Sequence, residues 1–181
     1  MFSNKFTHKG FFSKSTLAFI TIISLASFSA AASNKSTAST DVENKSATSK
    51  IVLDIYKNPS CGCCKKWINH IDQNDFQSTV HNRANLSPLK ISKGIAPQYR
   101  SCHTAISEDG YVFEGHVPAK FIKQFLTEKP KNALGLSVPA MPIGTPGMEM
   151  GDRFMPYQVL LLKTDGSSEL YSMVNSYKEQ F

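Results

Sequence analysis

The stretch NPSCGCCKKW, Asn58 to Trp67, places three thiols within four residues directly behind an apolar, β-branched run, IVLDIY, Ile51 to Tyr56. Such a run reads as a buried strand. Asn58-Pro59-Ser60 breaks it. Cys64, Trp67, Ile68 and Ile71 then recur at i, i+3, i+4 and i+7, the spacing of one buried helix face, while Lys65, Lys66, Asn69 and Asp72 fall on the wet side. The chain must therefore pass from a buried strand into a helix whose first turn carries Cys61, Cys63 and Cys64. Few folds admit that arrangement.

The rest of the chain narrows the choice. Phe76 reads as the close of the turn after the helix, and Gln77 to His81 as a short strand. Leu86 to Ile91 suggests a second helix with Pro88 in its first turn, where proline is tolerated. Cys102–Ser107 and Tyr111–His116 alternate around Glu108-Asp109-Gly110, a hairpin signal. Pro118 to Lys129 reads as a helix with Phe121, Ile122, Phe125 and Leu126 inward, ended by Pro130. Leu136 to Pro156, with four prolines and four methionines, reads as one long irregular segment. Tyr157–Lys163 and Glu169–Val174, around Asp165-Gly166, form a closing hairpin. The order of elements predicts an α/β fold: a thioredoxin-like mixed sheet flanked by helices, with a Met/Pro-rich loop and an extra C-terminal hairpin. In that fold a Cys-x-x-Cys opening the first helix marks the redox site.

This domain is expected to span residues 51–181. Residues 1–31 read as a secretory signal peptide: Lys5, Lys9 and Lys14 precede the apolar run Leu17 to Leu25, and Ser29-Ala30-Ala31 offers a small-x-small cleavage site. The apolar run is too short for a spanning helix, which needs about 20 residues, so no membrane attachment is expected after cleavage. Residues 32–50, ASNKSTASTDVENKSATSK, are too polar to offset ordering entropy and read as a flexible linker. Without the three signal lysines, 17 basic residues face 14 acidic ones, a formal +3. No dense basic run is present, so nucleic acid has no compositional support as a partner. Export puts the thiols in an oxidising compartment, where they are paired, metallated or recycled.

Cys61 and Cys64 have redox-pair spacing, and a helix N-terminus favours thiolate over thiol. Cys61, at the cap, is the expected reactive member. Cys63 fits a redox pair poorly, because a third thiol invites scrambling. Three thiolates on one cap suit a soft cation, Cu(I) or Zn(II), with histidine completing the site. Cys102-His103 opens the hairpin and His116 ends it. Cys102 and His103 are expected on opposite sheet faces if the strand is regular. Each of the three also has a plain packing reading. Met141, Met148, Met150 and Met155 offer thioethers, which suit Cu(I) and not zinc, against the alternative of loop packing. His70 lies about 10.5 Å along the helix from Cys63, too far to share an ion, and reads as surface.

The segments YKNPSCGCCKKWINHI, SCHTA, GYVFEGHVPA and GLSVPAMPIGTPGMEMG together resemble the CopG-like periplasmic metal-binding family linked to copper resistance. The resemblance runs from about Val52 to Val174. It implies a thioredoxin-like fold, a periplasmic location and copper binding by Cys61, Cys63, Cys64 and Cys102. His103 and His116 lie in its SCHTA and GHVP motifs, and Met141 and Met148 in its Pro-Met and Pro-Gly-Met segment. Ala140 precedes Met141 where glycine is expected. The function expected is copper tolerance. Cu(I) would be held by the cysteine cluster as a small polynuclear thiolate unit, Cu(I)/Cu(II) redox would couple to a Cys61–Cys64 dithiol/disulfide, and copper-efflux components would be the partners. A thiol–disulfide oxidoreductase acting on protein cysteines is the rival, and a passive zinc or copper carrier the third reading.

Overall fold

The structure is a computed structural model that describes residues 50–181; the expected signal peptide and nearly all of the expected linker lie outside the described residues. Among the described residues no helix is long and apolar enough to cross a membrane.

The apolar run becomes β1 (Ile51–Lys57), with Leu53 and Ile55 fully buried. An Asx turn ends it: Asn58 Oδ1 accepts from the Ser60 N–H and hydroxyl. Helix α1 (Gly62–Asp72) follows, burying Cys64, Trp67, Ile68 and Ile71, the stripe expected from their spacing. Then come β2 (Phe76–Asn82), α2 (Ser87–Ser92), a 3-10 turn (Pro97–Tyr99), β3 (His103–Ser107), β4 (Val112–Gly115), α3 (Ala119–Glu128), β5 (Ala133–Val138), β6 (Tyr157–Lys163), β7 (Ser168–Val174) and a last 3-10 turn (Tyr177–Gln180).

The seven strands make one mixed sheet in the order β2-β1-β3-β4-β5-β6-β7. Two parallel pairs, β1 with β2 and β4 with β5, are each connected through a helix, α1 and α3. The remaining neighbours are antiparallel. The main core packs Trp67, Ile68 and Ile71 of α1 and Phe121, Ile122 and Phe125 of α3 against Leu53, Ile55, Phe113, Leu136 and Val159 of the sheet.

Two expectations need correction. Phe76 opens β2 and is fully buried, because its ring packs into that core and does not cap a turn. Leu136 to Val138 are not loop but the end of β5, which pairs with β4 on one side and β6 on the other. The irregular segment thus begins at Pro139. The closing hairpin β6–β7 continues the sheet through β5.

Candidate metal centre

Cys61 is the N-cap of α1, and its sulfur accepts the Cys64 N–H at 3.3 Å, the place a Ser or Asp oxygen usually takes. Cys61 and Cys64 are joined by a disulfide. Cys63 and Cys102 are free thiols. Cys63 Sγ lies 3.4 Å from Cys61 Sγ. Cys64 Sγ is 4.0 Å from the Cys102 carbonyl oxygen, and all four sulfurs fall within 4.8 Å of one another. One turn of helix and one residue 38 positions away therefore share a single sulfur nest.

Cys102, His103 and His116 form a second, overlapping group whose ligand atoms are also mutually within 4.8 Å. Cys102 Sγ is 3.2 Å from His103 Nδ1 and 3.2 Å from His116 Nε2. The expectation that Cys102 and His103 face opposite ways fails for a specific reason. β3 starts at His103, so Cys102 stands outside the ladder and strand alternation does not govern it. His116 Nδ1 is 2.8 Å from the Pro146 carbonyl and must carry the proton that this acceptor requires. Its Nε2 is then a bare lone pair aimed at Cys102, which donates its S–H there. His103 Nδ1 in turn donates to the same sulfur. Its Nε2 is fully buried and without a hydrogen-bond partner. The His103 ring lies 4.3 Å from Trp67 and edge-on to His116 at 5.1 Å.

Burial, and next the neighbouring Cys63, push the Cys102 thiol up to about 12. Burial likewise holds His103 and His116 below the ordinary imidazole range; for His116 the Pro146 hydrogen bond opposes the shift. The imidazoles are thus neutral, the form that ligates a metal, while Cys102 must release a proton to do so.

The Met/Pro segment closes the site from above. Pro146 supplies the carbonyl that orients His116. Gly147 has φ +88°, and a Cβ there would meet Trp67 N at 2.7 Å and the Cys63 carbonyl at 2.8 Å, so only glycine lets the loop lie on the first turn of α1. Cys63, Met148, Glu149 and Met150 line a surface cavity of about 310 Å³. Met141 is 48% exposed. Ala140 sits at φ +59°, the left-handed region where its Cβ costs about 1–2 kcal/mol and where glycine would be free of strain.

Two features escaped the sequence reading. His70 is not a surface residue: it is half-buried, and its Nε2 accepts the Ala119 N–H at the start of α3. Lys90 and Glu114 form a buried ion pair beside the centre. Burial raises the Glu114 carboxyl, and Lys90 and Thr104 act against that rise. A lysine on a six-residue helix, SPLKIS, gives no sequence signal of burial; only the position of Glu114, two residues before His116, hinted at a role.

Fold and site together define a class: a mixed α/β domain with a sulfur-and-imidazole nest where its first helix meets the open end of β3 and β4. A family model described as "Protein of unknown function, DUF411" matches residues 99–148, the span from the 3-10 turn to Met148. Two solved structures of copper resistance protein CopG, Form 1 and Form 2, match with 38% and 37% identity and TM-scores of 0.65 and 0.66. Each match covers 70% of this chain and 99% of the other. No curated protein matches. The chain belongs to the family of copper resistance protein CopG.

Proposed function

We propose that the chain is a periplasmic copper-binding protein of copper tolerance, in which Cys61, Cys63, Cys64 and Cys102 hold Cu(I) and His116 and His103 complete the site. The observation that carries this reading is the mutual approach of four sulfurs within 4.8 Å, with an imidazole lone pair on the same nest. Soft thiolate donors select Cu(I), and bridging thiolates let four sulfurs hold more than one ion. Met148, on the cavity beside Cys63, is the thioether placed to add to the set; Met141, largely in solvent, is the weaker candidate. The family relationship supports the copper assignment, because the related structures are named for copper resistance.

The reading extends to organisation. The order β2-β1-β3-β4, with α1 after β1, supports a thioredoxin-like core enlarged by β5 to β7. Residues 1–31 serve as an export signal, residues 32–50 as a tether, and residues 51–181 as the copper-binding domain, which works beside copper-efflux components.

The Cys61–Cys64 disulfide supports redox coupling. Two Cu(II) ions accept one electron each from the Cys61 and Cys64 thiolates, giving two Cu(I) ions and the disulfide. The reverse step returns both thiolates and two Cu(II) ions. The same disulfide favours the rival reading, a thiol–disulfide oxidoreductase. A Cu(I) titration under anaerobic conditions separates the two. Chain reduced beforehand is expected to bind Cu(I) tightly and in preference to Zn(II), and the disulfide form to bind far less, since only Cys63 and Cys102 remain free. Equal, weak binding by both forms, with metal-independent reduction of a protein disulfide, would establish the rival.

A further inference from the structure

The hairpin that carries Cys102, His103 and His116 stops pairing just where those residues begin. Its last rung is Thr104 opposite Glu114. Beyond it, Ser101 to Cys102 on one side and Gly115 to His116 on the other have no pairing of the β3–β4 ladder to fix their spacing. The outer edges stay paired, His103 with Lys57 of β1 and Gly115 with Val138 of β5, so the gap lies between the two strands themselves. Here a buried charge pair takes over. Glu114 Oε1 accepts the Ser101 N–H at 2.6 Å, and Oε2 accepts the Thr104 hydroxyl at 2.6 Å. Lys90 is the one buried residue of α2. Its ammonium contacts Glu114 Oε1 and donates to the Ser101 carbonyl at 3.1 Å and to Thr104 Oγ1 at 3.0 Å. Both backbone groups of Ser101 are therefore held, one by each charge. The Ser101 hydroxyl donates to the Ala140 carbonyl at 2.5 Å, tying the Met/Pro segment to the same point. Gly115, at φ +74°, turns the partner strand here, and a Cβ on it would meet Ser101 Oγ at 2.6 Å.

Neither charge touches a sulfur or an imidazole in this network; both grip the residues on either side of them. We propose that the Lys90–Glu114 pair is the positioning device of the copper site, setting the distance between the Cys102 sulfur and His116 Nε2 by clamping Ser101 and Thr104 to the end of β4. This rests on the copper-binding reading of the site. A pair that served stability alone would be a poor choice, since a buried ion pair can often be replaced by neutral residues of similar volume without loss.

That property supplies the test. Lys90→Met with Glu114→Gln leaves no unpaired buried charge, and keeps volume, so the double variant retains the fold where either single variant risks losing it. Two readouts are taken. In the first, reduced wild type and double variant compete for Cu(I) with a Cu(I) chelator. The double variant is expected to bind about 10- to 100-fold more weakly, the range for groups that orient metal ligands, with a melting temperature close to that of wild type. In the second, no metal is present. With Cys63 replaced by serine and Cys61–Cys64 oxidised, Cys102 is the one free thiol among the described residues. Its alkylation by iodoacetamide is expected to quicken severalfold in the double variant, as the segment swings away from His116. Unchanged affinity together with an unchanged alkylation rate overturns the proposal. Should wild type itself hold no Cu(I), the copper reading fails, and the alkylation rate still decides whether the pair positions Cys102.

Discussion

A chain with Cys61→Ser and Cys64→Ser is expected to stay folded and to lose most of its Cu(I). Serine is a good N-cap, so the hydroxyl introduced at position 61 can take over the bond that the Cys61 sulfur now accepts from the residue 64 N–H. A hydroxyl at position 64 has the Cys102 carbonyl nearby as an acceptor. Losing the crosslink costs about 2 kcal/mol by loop entropy, because the bridge spans a sequence separation of only 3. The copper effect is larger. Two of the four sulfurs go, and with them every bridge except one between Cys63 and Cys102. Affinity should fall by more than the ~100-fold that characterises changes outside the ligand shell. Copper per chain, measured after anaerobic loading and desalting, should drop to what that remaining pair holds, under both reducing and oxidising conditions. Copper equal to wild type would remove these two residues from the site.

Trp67→Ala is expected to be the most damaging single change to the fold. The indole is fully buried, donates to the Val117 carbonyl at 2.9 Å, and carries the His103 ring at 4.3 Å. Truncating it opens a cavity costing about 3–5 kcal/mol and leaves the Val117 carbonyl without its partner. Denaturant unfolding should show the loss directly. The damage also reaches the site. His103 loses the surface that holds its ring. Cu(I) affinity should fall in the variant even at temperatures where it remains folded. A midpoint shift equivalent to less than about 1 kcal/mol, far below the usual cost of such a truncation, would mean that Trp67 is not the keystone of this core.

What could be read from sequence was what is local. The α1 stripe of Cys64, Trp67, Ile68 and Ile71 is legible because one helical period sets it. Clustering of Cys61, Cys63 and Cys64 is legible for the same reason. β5 was hidden. Asn132 at φ +60° and Gly135 punctuate ALGLSV like a loop. Gly135 is in fact demanded by the sheet, since a Cβ there would fall 1.7 Å from the Val112 carbonyl oxygen. Its strand character comes from two non-local neighbours, β4 and β6, which no local pattern announces. At the site, strand alternation misled: it applies only inside a ladder, and Cys102 lies one residue before β3. The Lys90–Glu114 clamp depends on a contact across 24 residues and on the burial of a charge. Composition places charged residues outside, so only the folded chain exposes that pair.

The most direct test of the central claim is X-ray absorption at the copper edge of the reduced, Cu(I)-loaded protein, beside Cys102→Ser. Four thiols converging with an imidazole predict a shell dominated by sulfur, a minor nitrogen contribution and a short copper–copper distance, with sulfur and the metal–metal feature both reduced in the variant. A shell of nitrogen and oxygen neighbours, identical in the two proteins, would contradict it.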